Sequence, residues 1–284
     1  MSQLPPYYTF SERIWYYSFR VICGAIFFFL VFPLVVIIPL SFNAVPFFTF
    51  TKEMLALDPV GYSLKWYEDF FTNLNWQGAV RNSFIIAIFA TLISTTLGTV
   101  AALGLSRAQM PYRTLLMGIL ISPMIVPLII SAAGMFFFFA KYNLVASYVG
   151  LILAHTVLGI PFVVITVTAT LVGFDHNLTK AAASLGGGPL YNFFKVQMPL
   201  ILPGVISGAL FAFITSFDEV VVVLFVGGPE QITLPRQMWS GIRQEISPTI
   251  LSAATILVIF SILLLTTVEL LRRRGERLRG VTPS

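Results

Sequence analysis

The sequence predicts an all-α integral membrane protein with six transmembrane helices, and three observations predict it. The 284-residue chain is 57% hydrophobic and 10% charged, with a mean hydropathy of +0.89, whereas a soluble domain carries roughly 25% charged residues. Its apolar residues gather into six long runs; crossing a hydrocarbon core of about 30 Å takes about 20 helical residues. The runs are continuous, unlike the short alternating segments of a β-barrel. The 27 phenylalanines suit lipid contact and helix packing better than a soluble core.

The first run, Phe19–Leu40, is too long for a signal peptide and lacks a small-residue cleavage site, so it reads as a retained helix. Cys23 within it is the only cysteine, which excludes an intrachain disulfide or a cysteine metal cluster and reads as a buried, inert thiol. The loop Ser41–Arg81 then carries Trp66, Tyr67, Phe70, Phe71 and Trp76, rings suited to an interfacial belt or to a surface that meets an outside partner. The next runs are Asn82–Ser106, Thr114–Phe139, Val149–Val172, Gly204–Val226 and Thr249–Leu271. Between the last two, turn residues with Trp239 and two arginines read as a short amphipathic segment on the outer face. Pro33, Pro39, Pro123, Pro127 and Pro161 each remove a backbone donor within a run. With Gly98, Gly104, Gly134 and Gly159 they predict a bundle that packs closely and can bend, in one membrane domain over residues 1–284.

Charge sets the topology. With both termini inside, eleven of the 17 lysines and arginines are cytoplasmic and six are outside, as the positive-inside rule requires. The bias is strongest in the tail Arg272–Arg279, which suits anionic headgroups beneath a spanning helix better than nucleic acid. The pI near 9.4 is therefore a matter of topology, and no nucleic-acid partner is expected.

The segment 173–203 is then a cytoplasmic loop. Asp175, Asn177 or Thr179 can cap a short helix through Leu178–Leu185, and Gly186 stops it. Gly187, Gly188 and Pro189 force a turn, and a second short helix over Leu190–Met198 precedes Pro199, Pro203 and the fifth span. Such a knob, with small Ala181, Ala182 and Ala183, can seat in a groove.

That loop resembles the coupling loop of ABC-importer permeases, whose signature is Glu-Ala-Ala, three residues, Gly, then about a dozen residues to a hydrophobic-Leu-Pro element. Ala181, Ala182, Leu185, Gly186, Val196 and Pro199 match in order and spacing. Lys180 stands where the family usually has Glu, so a partner with a compensating acid is implied, and Met198 replaces Leu. Arg81-Asn82-Ser83, Ala101-Ala102-Leu103, Ser216-Phe217-Asp218-Glu219 and Trp239–Pro248 resemble the polyamine branch, the second permease of spermidine/putrescine importers. The resemblance implies a type I ABC importer permease fold in the bacterial inner membrane and half of a translocation path for a small cationic amine. It also implies a second permease subunit, two ATP-binding subunits holding ATP and Mg, and a periplasmic solute-binding protein. Lys180, Ala181, Ala182, Ser184, Leu185 and Gly186 would carry the ATPase coupling.

Asp218 and Glu219 are the only carboxylates deep inside any run. Each costs roughly 2.5–3.5 kcal/mol at the centre of a lipid-facing helix, so a cavity or protein interior is expected around them. Ser207, Gly208, Phe211 and Thr215 precede Asp218 at helical spacing and predict one small and polar stripe along the solute path. The alternative is that an acid bonds a neighbouring helix. His155, with no acid nearby in sequence, reads as a helix-bonding histidine. The chain has no phosphate-binding G-x-x-x-x-G-K-[ST] loop and no catalytic constellation, so no enzyme activity and no cofactor or metal of its own is expected. The competing reading is a stand-alone secondary transporter with Asp218, Glu219 and His155 carrying protons.

Overall fold

An apolar run in a bilayer satisfies its backbone donors and acceptors within itself, which favours helix. The computed structural model describes residues 9–107, 109–175, 177–244 and 247–278, with side chains except at Gln244 and 267–278. Among these there is no strand, only an isolated bridge between Asn43 and Tyr62. The helices are α1 (Phe10–Leu40), α2 (Lys52–Leu55), α3 (Lys65–Thr72), α4 (Leu74–Leu105), α5 (Arg113–Ile125), α6 (Leu128–Lys141) and α7 (Tyr148–Val172). After them come α8 (Asn177–Ser184), α9 (Pro189–Asn192), α10 (Met198–Phe217), α11 (Val221–Val226), α12 (Leu234–Gln244) and α13 (Thr249–Leu278). Among the described residues, five helical stretches are long and apolar enough to cross a membrane, or six with the bent pair α5–α6 as one span. Packing divides the described residues into two compact units, one made of those up to 71 and from 244 onward and the other of those between 72 and 243.

In the first unit the C-terminal end of α1 meets α13, and most of the rest of α1 is exposed. The hydroxyl of Ser252 donates to the Ser41 carbonyl (3.3 Å), and that of Thr249 donates to the Asp69 carboxylate (2.7 Å). The loop between α1 and α3 winds around the buried Asn43. Its amide nitrogen donates to the carbonyls of Phe47 and Thr49, its amide oxygen accepts from Val45 N–H, and its own carbonyl accepts from the Trp66 indole at 2.7 Å. Tyr67 shares a 2.6 Å hydrogen bond with Ser41, and Phe70 is buried. The expected aromatic belt is therefore mostly turned inward as the core of this loop; Phe71 alone of these rings in the unit is exposed. Cys23 is half-buried instead of enclosed.

The second unit is built on α4, α7 and α10, which pack on one another. Gly204 and Gly208 lie one turn apart on α10. A Cβ at Gly204 would stand 2.1 Å from Thr170 Oγ1, and one at Gly208 would stand 2.8 Å from the Val163 Cα. The two backbones approach through these positions, as small residues allow between membrane helices. Of the glycines expected to pack closely, Gly98 and Gly159 do so, against Val163 and Ser94, whereas Gly104 and Gly134 face open space. Val163, Val167, Leu171, Ile201, Val205 and Ala212 fill one core, and α6, α7 and α11 enclose a second around Leu151, Ala154, Val222 and Val223.

Two expected continuous spans are interrupted. Over Thr114–Phe139, α5 and α6 meet at 102°. Pro127 pushes the preceding Val126 out of the helical region, to ψ 134°. Over Gly204–Val226, α10 ends at Phe217 and α11 begins at Val221. Conversely, the expected second loop helix is not separate: α9 passes through a π-helical turn (Phe193–Gln197) into α10, with Pro199 and Pro203 inside the helical run. Met198 N–H bonds Phe193 O in that turn, an accommodation to the carbonyls left free where prolines bring no N–H.

Candidate functional site

Asp218 and Glu219, expected within a helix, stand at the gap between two. Asp218 closes α10, its N–H donating to Ile214 O at 3.0 Å, and its side chain is exposed. Glu219 is buried, and its Oε1 accepts from Val222 N–H at 2.9 Å, which satisfies one of the donors left free at the start of α11. Adjacent carboxylates thus have different work. One caps a buried helix end, and the other is open.

The stripe below Asp218 divides similarly. Ser207 and Thr215 are half-buried and Phe211 is exposed, stacking on Phe162 of α7 with ring centroids 6.0 Å apart. Gly208 leaves the stripe, because it is the buried contact with α7. The open face is therefore Ser207, Phe211, Thr215 and Asp218, at helical spacing.

His155 of α7 is buried, with Nδ1 2.8 Å from the Ser216 hydroxyl and 3.1 Å from the Ser216 carbonyl. A carbonyl only accepts, so Nδ1–H is the donor there. Nε2 has no partner among the described residues. The ring ties α7 to the last turn of α10, as a helix-bonding histidine would.

The loop signature forms α8, with Lys180, Ala181, Ser184, Leu185 and Gly186 exposed and Ala182 half-buried. Asp175 accepts from Asn177 N–H at 2.9 Å; His176 lies outside the described residues. Gly186 adopts φ 86°, Gly187 N–H bonds Ala182 O, and Gly186 N–H bonds Ala183 O, each at 3.0 Å. This is a Schellman motif, and it needs the left-handed conformation glycine tolerates. Asn192 of α9 donates to Gly187 O at 3.2 Å and bridges the turn. Leu185, Leu190, Tyr191 and Phe194 are exposed around it, an apolar margin next to the lone cation of α8.

Residues 94–278 match the family described as binding-protein-dependent transport system inner membrane component. Over 244 residues the chain is 31% identical to the spermidine/putrescine transport system permease protein PotC of Haemophilus influenzae, covering 86% of this chain and 92% of that protein. It is 29% identical over 221 residues to the putrescine transport system permease protein PotI of Escherichia coli, covering 74% and 78%. The chain belongs to the inner membrane component family. A crystal structure of a bacterial ABC transporter involved in the import of the acidic polysaccharide alginate has a chain of the same fold, with a TM-score of 0.70 over 93% of this chain and 99% of that one, at 17% identity. The protein is thus an ABC importer permease subunit of type I fold and not itself an enzyme.

In this inner membrane component one polar cluster escaped sequence reasoning. The Asn82 amide donates to the carbonyls of Glu230 and Ile232 at 2.8 and 2.9 Å, and Tyr148 OH donates to Asn82 Oδ1 at 2.8 Å. Ser83 Oγ accepts from Leu234 N–H at 2.8 Å. Arg236 donates to the carbonyls of Gly227 and Gly228 at 3.1 and 3.0 Å, at the end of α11. These bonds fix the connection from α11 to α12 on the third turn of α4 and the start of α7. In the sequence Asn82 and Ser83 stand out only within a family resemblance, since their partners lie 66 to 151 positions away.

Proposed function

We propose that this permease subunit forms half of the translocation path for a cationic amine of the polyamine class, with Asp218 as the carboxylate that attracts it. The observation that carries the reading is the division of labour at the gap after α10: Glu219 is held by Val222 N–H, whereas Asp218 is exposed at the end of the Ser207–Phe211–Thr215 face. A cation crossing a low-dielectric region gains from one fixed anion whose charge is not already spent. The spermidine and putrescine in the names of the related permeases support this substrate class.

In this reading the path is completed by a second, different permease subunit. Two ATP-binding subunits holding ATP and Mg dock on α8, and a periplasmic solute-binding protein delivers the amine. Both termini are cytoplasmic. Lys180, Ala181, Ala182, Ser184, Leu185 and Gly186 form the docking knob, and Lys180 meets an acid on its partner. Lys180→Glu then alters the ATPase activity of the complex without lowering membrane insertion.

The deciding experiment is uptake of labelled putrescine and spermidine by cells carrying Asp218→Asn at matched membrane abundance. Uptake falls at least tenfold, and Asp218→Glu retains part of it. Unchanged uptake by Asp218→Asn removes the carboxylate from the path.

A further inference from the structure

A helix of 31 residues is about 46 Å long, about 16 Å more than a hydrocarbon core requires. In α1 the excess lies at its beginning. The far end is fixed where the Ser252 hydroxyl of α13 meets the Ser41 carbonyl. From that level, at about 1.5 Å per residue, Arg20 lies about 32 Å along α1, and Arg272 and Arg273 lie about 30 and 32 Å along α13. Measured from that anchor, the first arginines of α1 and α13 both fall about one hydrocarbon thickness along their helices.

The emerging turns of α1 are chemically specialised. Arg13, Tyr16, Tyr17 and Arg20 recur at the three- and four-residue spacing of one helix face. The Arg20 guanidinium lies 4.3 Å from the centroid of the Tyr16 ring, and Tyr17 meets Tyr16 edge-on at 5.5 Å. The only acid on these turns, Glu12, is occupied by the helix cap: its carboxylate accepts from Thr9 N–H at 2.7 Å and from the Thr9 hydroxyl at 2.8 Å. Arg13 and Arg20 are exposed, and neither has an ion-pair partner among the described residues. In sequence, the corresponding stretch of α13 carries Arg272, Arg273, Arg274 and Arg277 with Glu269 and Glu276. Aromatic rings at the interface with unspent cations beside them fit an anionic headgroup.

We propose that the beginning of α1 is a binding site for an anionic phospholipid of the bilayer, whose phosphate is held by Arg13 and Arg20 over the Tyr16–Tyr17 shelf. Its acyl chains run along the exposed phenylalanines of α1, Phe27 and Phe28 among them. The site is independent of the solute transported and of Asp218.

The test uses the 284-residue chain with the subunits that co-purify with it in neutral detergent, titrated separately with phosphatidylglycerol, phosphatidylcholine and inorganic phosphate. Bound lipid is read by native mass spectrometry, and stability by thermal unfolding. Phosphatidylglycerol is retained and raises Tm, and the other two are not retained and do not. Each arginine near an anionic surface contributes about fivefold to affinity, so Arg13→Gln with Arg20→Gln weakens phosphatidylglycerol binding about 25-fold. The paired Arg13→Lys, Arg20→Lys variant keeps most of it, and Arg243→Gln, at an exposed position on α12, leaves it unchanged. Retention of phosphatidylcholine to the same extent, or an equal response to inorganic phosphate, overturns the proposal. So does wild-type phosphatidylglycerol binding by the double Gln variant. If that variant instead loses a co-purifying ATP-binding subunit while its lipid response is intact, the arginine face is a protein contact and the lipid site is refuted.

Discussion

Two of the spans are interrupted, by opposite means. Between α5 and α6 the chain bends by 102° because Pro127 forces Val126 out of the helix, and the elbow is loosely packed, with Met124 52% and Ile125 75% exposed. Between α10 and α11 no proline acts. The gap is made by two carboxylates and Val220, and Ser216, Glu219, Val222 and Val223 around it are buried. A steric break needs only its own residue, whereas a polar break within an apolar segment needs partners for every group it frees. The first is therefore a bend the local sequence makes unaided, and the second is a structure that the whole second unit maintains.

That difference predicts unequal sensitivity. The largest effect belongs to Glu219→Ala, which leaves Val222 N–H buried without its acceptor and costs about 2 kcal/mol of stability. Glu219→Gln keeps an acceptor oxygen and costs less than half as much. Denaturant unfolding of the purified variants reads both. Equal losses for Ala and Gln show that the cap does not hold α11.

Next comes His155→Leu, which retains the bulk of the ring but removes the donor to Ser216. A loss of about 1–2 kcal/mol is expected. Ser216→Ala measured with it in a double-mutant cycle gives a coupling above about 0.5 kcal/mol if the two sites act as one pin. Additive losses show that the histidine merely fills space beside the gap.

The same contrast explains what the sequence could convey. Helices follow from composition, since apolar runs in lipid have few alternatives, and the stop at Gly186 follows from a residue whose left-handed conformation is local. The Pro127 elbow had its signal in Pro123 and Pro127. The gap at Asp218 has no such breaker, since no glycine or proline marks it and the carboxylates sit in an otherwise helical pattern. A spacing signal did exist: Glu219 stands three residues before Val222, the separation at which a capping side chain meets a free N–H. Prolines misled in the other direction at Pro199 and Pro203, which lie within a helix that a π-helical turn accommodates. The contacts of Gly204 and Gly208 with Thr170 and Val163, and of Asn82 with Glu230, depend on tertiary neighbours that no local pattern specifies.

Pro127→Ala should have a smaller effect than either substitution at the polar gap. Restoring a backbone donor at an exposed elbow changes stability by about 1 kcal/mol or less, because the gain in helix propensity offsets a freer unfolded chain. A thermal shift as large as that of Glu219→Ala would mean that the elbow is as strongly supported as the gap, and the contrast between them would fail.

The smallest effect on stability is expected from Asp218→Asn. The side chain is exposed at the end of α10 and the substitution keeps its size, so unfolding should shift by no more than about 0.5 kcal/mol. This near-silence gives the substitution its value. Glu219→Ala confounds transport with a loosened α11, whereas Asp218→Asn removes a charge and leaves Glu219, Val222 and the His155–Ser216 bond in place. If uptake falls while unfolding is unchanged, the loss belongs to the open carboxylate. If unfolding falls as far as it does for Glu219→Ala, Asp218 is a structural partner in the gap, and two adjacent acids share one task instead of dividing two.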